Sequence, residues 1–165
     1  MWRLGLLVAG VFVLASCNPP PADQVLVVDT TADTVDAVVG DGICADDAGD
    51  CSLRAAVMEA NADPDITEIQ LTGGSTYTLT IPGAGEDLSA TGDLDLRSRT
   101  YIRSALGTGQ ATIDGNGLDR VVDAVGGSLQ YLEGLDIVGG DTSNASPRSA
   151  SRVPAAASSP ELASW

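Results

Sequence analysis

The sequence predicts an all-β fold, a parallel β-helix whose start is covered by one capping α-helix. Three observations predict it. Short apolar runs recur from about residue 66 to residue 140, with Gly, Asn and Asp between them. Their turns are short, as at Gly73-Gly74, Asp114-Gly115-Asn116-Gly117 and Gly139-Gly140, whereas a Greek-key sandwich requires long connections. The lone amphipathic helical pattern precedes the strands, where stacked rungs need cover for an apolar end and unpaired backbone.

The elements follow in order. Gln24 to Val28 (QVLVV) reads as a strand. Residues 29–50 read as a loop rich in aspartate: Asp29, Asp33, Asp36, Asp41, Asp46, Asp47 and Asp50. Ser52 is placed to N-cap a helix. Leu53, Ala56, Val57 and Ala60 then fall on one face of a 3.6-residue period, and Asn61 and Pro64 end it. Strand signals follow at Ile66, Ile69 and Leu71, Tyr77 and Leu79, Leu94 and Leu96, Tyr101-Ile102, Ala111 to Ile113, Val121-Val122 with Val125, and a last run of Leu129, Leu132, Leu135 and Ile137-Val138. Asp93 and Asp95 alternate with Leu94 and Leu96, which predicts that the aspartates face outward.

Four segments are expected: residues 1–16 as a signal peptide, 17–23 as a linker, 24–144 as the capping region and first rungs, and 145–165 as a tail. Arg3 is followed by the apolar stretch Leu4 to Ala15. It is shorter than the roughly 20 residues a bilayer span needs, and it fits the core of a secretory signal. Leu14-Ala15-Ser16-Cys17 resembles the bacterial lipobox, in which the cysteine becomes the N-terminus and carries acyl chains. That resemblance implies lipidation at Cys17 and a membrane partner through the anchor, since several acyl chains hold where one is marginal. Asn18 is not the aspartate that often retains such proteins in an inner membrane, which points to the outer membrane or cell surface. The alternative is an ordinary cleaved signal with a chance cysteine.

The chain has 8 basic and 23 acidic residues, a formal charge of −15, which becomes −16 when Arg3 leaves with the signal. Every basic residue is arginine, and there is no histidine. Nucleic acid as a partner is excluded by this balance, which offers no basic stripe. Histidine general bases and histidine metal sites are excluded outright.

Asp33, Gly40-Asp41-Gly42-Ile43-Cys44, Cys51-Ser52-Leu53-Arg54-Ala55-Ala56 and Glu59-Ala60-Asn61-Ala62 resemble the CSLREA domain. So do Gly92-Asp93-Leu94-Asp95-Leu96, Ile113-Asp114-Gly115 and Gly134-Leu135-Asp136-Ile137-Val138-Gly139-Gly140. The resemblance spans about residues 25–144. It implies the start of a right-handed parallel β-helix on a secreted or surface protein, with no established catalytic activity. The family places Glu where this chain has Ala55, the third helical position, which closes a Ser-x-x-Glu capping box. On this reading, Ala55→Glu raises stability.

With Cys17 used for lipid, Cys44 and Cys51 remain as an even pair in an oxidising compartment, so a disulfide is expected. A redox or metal pair is the alternative, although Cys-x6-Cys without histidine makes a poor zinc site.

Two kinds of chemistry stand as candidates. Asp41, Asp46, Asp47 and Asp50 are oxygen donors for calcium, set against the ordinary role of aspartate in solvated turns. Asp93 with Asp95, or Asp114 with Asp119, is a carboxylate pair for sugar cleavage, set against alternation and turn chemistry. Arg97, Arg99, Arg103 and Arg120 are expected to pair with these acids or lie on rung surfaces.

From Ala145 to Trp165 the composition turns to Ala, Ser, Pro and Arg without a strand period, which reads as disordered or out of frame. The expectation is a truncated, marginally stable solenoid prone to edge association. Its expected role is non-enzymatic: a surface-anchored lipoprotein for adhesion or envelope display, with a polysaccharide or a surface protein as partner. The alternatives are the stub of a polysaccharide-active lyase or glycoside hydrolase, and a calcium-dependent binding module.

Overall fold

The computed structural model describes residues 19–126, 128–141 and 143. Cys17, the signal peptide and the tail from Ala145 lie outside the described residues. The described chain is β-rich. Its strands are β1 (Gln24–Val27), β2 (Thr67–Leu71), β3 (Thr76–Thr78), β4 (Leu94–Leu96), β5 (Thr100–Ser104), β6 (Ala111–Asp114), β7 (Val122–Ala124), β8 (Gln130–Glu133) and β9 (Leu135–Val138), with one helix, α1 (Leu53–Ala62), after β1. No helix among them is long and apolar enough to cross a membrane.

Three parallel sheets form, in the orders β1-β2-β5-β8, β3-β6-β9 and β4-β7. From β2 onward, each strand pairs with the one three places later. Leu26, Ile69, Ile102 and Leu132 are successive register partners across the first sheet. Tyr77, Ile113 and Ile137 are partners across the second. Stacking like residues at one level builds a continuous apolar interior from strands too short to make a core alone. Ile69, Ile102, Ile113 and Leu94 are fully buried there. Each such side chain contributes about 1.5–3 kcal/mol through burial. In the β8–β9 layer the same levels open: Leu132 is 41% and Ile137 43% exposed.

The helix covers the opposite end. Ser52 Oγ accepts from the Ala55 amide at 3.0 Å, as the N-cap expectation requires, and donates to the Thr34 carbonyl at 2.6 Å. At the other end Asn61 acts as a substitute strand. Its Nδ2 donates to the Asp95 carbonyl at 2.7 Å, and its Oδ1 accepts from the Arg97 amide at 2.8 Å. These bonds satisfy the edge of β4 that no strand pairs.

The helix is not amphipathic in the expected sense. Arg54, Ala55 and Glu59 are buried along with Leu53, Ala56, Val57 and Ala60, because the long acidic loop wraps its far side. Glu59 takes the amides of Gly40 and Gly42 at 2.6 and 2.5 Å. Both glycines have φ between +80° and +95°, which side chains resist.

This burial reverses the expectation for Ala55. The residue has no exposed surface, so a glutamate there must displace packed neighbours and desolvate its own carboxylate. Ala55→Glu is predicted to lower stability by about 1–3 kcal/mol, read as a fall in melting temperature. A rise would restore the capping-box reading.

Candidate functional site

The sequence marks the acidic loop, and the structure shows what its carboxylates do. Asp41 Oδ1 accepts from the Ile43 amide at 2.8 Å. Asp46 Oδ1 accepts from Ala48 and Asp50 at 2.8 and 3.0 Å, and the Asp50 amide contact leads the causes that hold its pKa below the usual range. Asp47 and Asp50 are exposed. Asp36 takes the amides of Val38 and Ala45, and Asp29 takes that of Cys51. The loop acids whose bonds are named here thus shape turns and tie the loop to itself.

The Cys44–Cys51 disulfide closes this loop, with Cα atoms 5.1 Å apart. Constraining so short a ring contributes about 2 kcal/mol through the unfolded state. It also delivers Cys51, and hence Ser52, to the start of the helix.

Behind the disulfide lies a centre that the sequence did not mark as a pair. Arg54 is buried and grips Asp33 with two nitrogens, at 2.6 and 3.2 Å. Its other donors reach the carbonyls of Ser89 and Gly92 at 2.8 and 2.9 Å. Asp33 Oδ2 in turn accepts from the amides of Thr80 and Ile81 at 2.5 and 3.0 Å. Four chain segments meet on one ion pair. The available signal was an arginine within an otherwise small, apolar helix, but no spacing rule connects it to an aspartate 21 residues earlier.

A second polar centre corrects the sequence reading of β4. Asp93 and Asp95 do not face outward; they are 1% and 0% exposed. Asp95 is covered by Ser89, whose hydroxyl bridges the Asp95 amide and carbonyl at 2.8 and 3.0 Å. Asp93 binds Arg120 Nε at 2.9 Å, and Arg120 Nη1 binds Asp123 at 2.9 Å. Carboxylate oxygens of Asp93, Asp95 and Asp123 lie within 4.8 Å of one another. Burial pushes the Asp93 carboxyl up, with the Asp119 charge adding to the rise and Arg120 opposing it. Asp119 also acts on Arg120, so its carboxylate belongs to this neighbourhood.

Asp114 sits apart from Asp119 in function: its Oδ1 takes the Asn116 amide at 2.9 Å in the expected turn. Of the marked arginines, Arg120 pairs with acids of the cluster, and Arg103 pairs with Glu68 at 2.7 Å. Arg97 donates to the Asp87 carbonyl at 3.1 Å, and Arg99 is exposed.

The outward side of the first sheet carries a shallow cavity of about 390 Å³, lined by Pro19 to Pro21, Tyr101, Arg103, Tyr131 and neighbouring acids. The two tyrosine rings meet edge to face, with centroids 6.0 Å apart.

No family model, curated protein or solved structure matches the chain.

Asp33→Ala strands Arg54 as a buried charge and leaves the Thr80 and Ile81 amides without their acceptor. It is predicted to cost about 3–5 kcal/mol in urea denaturation. Asp33→Asn, which keeps an acceptor, is predicted to cost less. A loss below about 1 kcal/mol for Asp33→Ala would class the pair with surface bridges.

Proposed function

We propose that this chain is a non-enzymatic, surface-anchored lipoprotein whose folded part is the cap and first coils of a right-handed parallel β-helix. It serves adhesion or envelope display, with a polysaccharide or a surface protein as partner. The observation that carries the reading is the register. Each strand from β2 onward pairs in parallel with the third strand after it, while one disulfide-tied helix closes the β4 side of the stack. A parallel crossover of this kind takes the right-handed sense in nearly all sheets. The resemblance to the CSLREA domain points the same way.

The non-enzymatic part rests on the acids. Sugar cleavage by a carboxylate pair needs both groups to reach substrate. Asp93 and Asp95 are enclosed in the stack, and Arg120 holds Asp93. The tyrosine-bearing outer face, where Tyr131 and Arg103 remain partly exposed, offers the aromatic and polar groups that a sugar or protein surface engages.

Anchoring is proposed from Leu14-Ala15-Ser16-Cys17. Cells expressing the chain and fed a clickable fatty acid are expected to label it, and Cys17→Ala is expected to abolish the label. Absence of label on the wild type would overturn the anchor. Digestion of the chain by protease added to whole cells tests display; full protection would overturn a surface position.

A further inference from the structure

We propose that the cavity between the proline segment and the outward face of the first sheet is a subsite for a neutral sugar. This deepens the polysaccharide reading above and rests on it. The subsite is a two-by-two patch of side chains from β5 and β8. Ile102 and Leu132 share an interior level, so their neighbours Tyr101, Arg103, Tyr131 and Glu133 face outward. Tyr101 is the register partner of Tyr131, and Arg103 that of Glu133. Adjacent strands stand about 4.8 Å apart, so the patch has an aromatic half and a charged half side by side. A sugar ring divides in the same way: its C–H faces pack on aromatic rings, while its hydroxyls donate and accept hydrogen bonds. Arg103 supplies the donor and Glu133 the acceptor.

A second observation comes from Tyr101. It lines the cavity and is only 2% exposed, yet its hydroxyl is buried with no hydrogen-bond partner among the described residues. A buried phenol ordinarily finds one. The protein leaves this bond unmade beside a cavity in which a ligand hydroxyl can complete it. The charged half is already fixed. Arg103 Nε and Nη2 bind Glu68 Oε1 at 2.9 and 2.7 Å, and Gln70 donates to the same oxygen. A guanidinium held in this way loses little further freedom on binding. It still keeps 28% of its side-chain surface open.

Charge and size select the ligand. The lining sets Glu68 and Glu133 against Arg103 alone, on a chain of formal charge −15. Uronate, sulfate and phosphate groups are repelled by that balance, and a neutral sugar is not. The volume of about 390 Å³ lies toward the small end of ligand sites, which run from about 300 to 1,000 Å³, so the cavity takes a short stretch of a glycan. Pro19, Pro20 and Pro21 form one wall, and their fixed φ leaves that wall little to lose on binding.

The test uses the full chain in mild detergent. The probes are maltohexaose, cellohexaose and N-acetylchitohexaose, with a galacturonate hexamer as the acidic control. Titration calorimetry is expected to show saturable binding of at least one neutral probe and none of the acidic one. Tyr101→Phe removes only the unpartnered hydroxyl. It is expected to melt no lower than the wild type and to bind the sugar about five- to tenfold more weakly. A hydroxyl with a structural role would give the opposite pair of results. Tyr131→Ala is expected to weaken binding about tenfold or more, whereas Tyr131→Phe, which keeps the ring, retains most of it. Arg99→Gln, outside the cavity, is expected to bind as the wild type does. The subsite is overturned if the wild type binds no neutral probe, if Tyr101→Phe or folded Tyr131→Ala binds unchanged, or if Tyr101→Phe melts lower. Tighter binding of the galacturonate hexamer would overturn the choice of a neutral sugar. Binding that persists in every variant removes this site and leaves the polysaccharide partner standing. Absence of all binding removes both, and fatty-acid labelling at Cys17 is independent of either result.

Discussion

The buried pair of Arg54 and Asp33 organises the start of this protein. An isolated ion pair in a protein interior adds little net stability, because desolvation offsets the attraction. This one differs in what surrounds it. The guanidinium also binds two carbonyls of the segment that leads into β4, and the carboxylate also binds two amides beyond β3. These four bonds are all to backbone, so the pair fixes the path of the chain. The acidic loop, the helix and the first turns of the stack are located relative to one another by a single contact.

Two other constraints reinforce it. The disulfide sets where the helix begins, and Glu59 holds the Gly40–Gly42 turn against the helix flank. With loop and helix fixed, Asn61 lies beside β4 and imitates a neighbouring strand. A parallel stack exposes unpaired backbone at its first coil, and a helix by itself offers no matching ladder. The side-chain amide resolves that mismatch. From there the stack repeats by register, with Leu26, Ile69 and Ile102 on one level and Tyr77 and Ile113 on another.

Acidic residues serve two opposite ends in this chain. Loop aspartates such as Asp41 and Asp46 hold turns by accepting nearby amides. The buried set at β4 and β7 is arranged around Arg120, with oxygens closer than like charges tolerate without compensation. Composition treats these groups alike. Only their surroundings separate a turn former from a member of a buried charge cluster.

The sequence by itself determined the local features of the protein. Strand runs, glycine turns, the Ser52 cap and the helix position follow from neighbours within a few residues, and each lies close to where the pattern places it. The disulfide was legible because the cysteine count left few choices. Tertiary structure decided which faces are covered. Alternation assigns Asp93 and Asp95 to solvent only if β4 has an open side. Here one side meets the apolar interior, while Ser89, Asn61 and Arg120 close around the rest. Ala55 and Arg54 became buried for the same reason: a loop from earlier in the chain folds over the helix face that periodicity reads as free. Contacts between residues 20 to 40 positions apart leave no local spacing to read, and they alone set the dielectric around each charge.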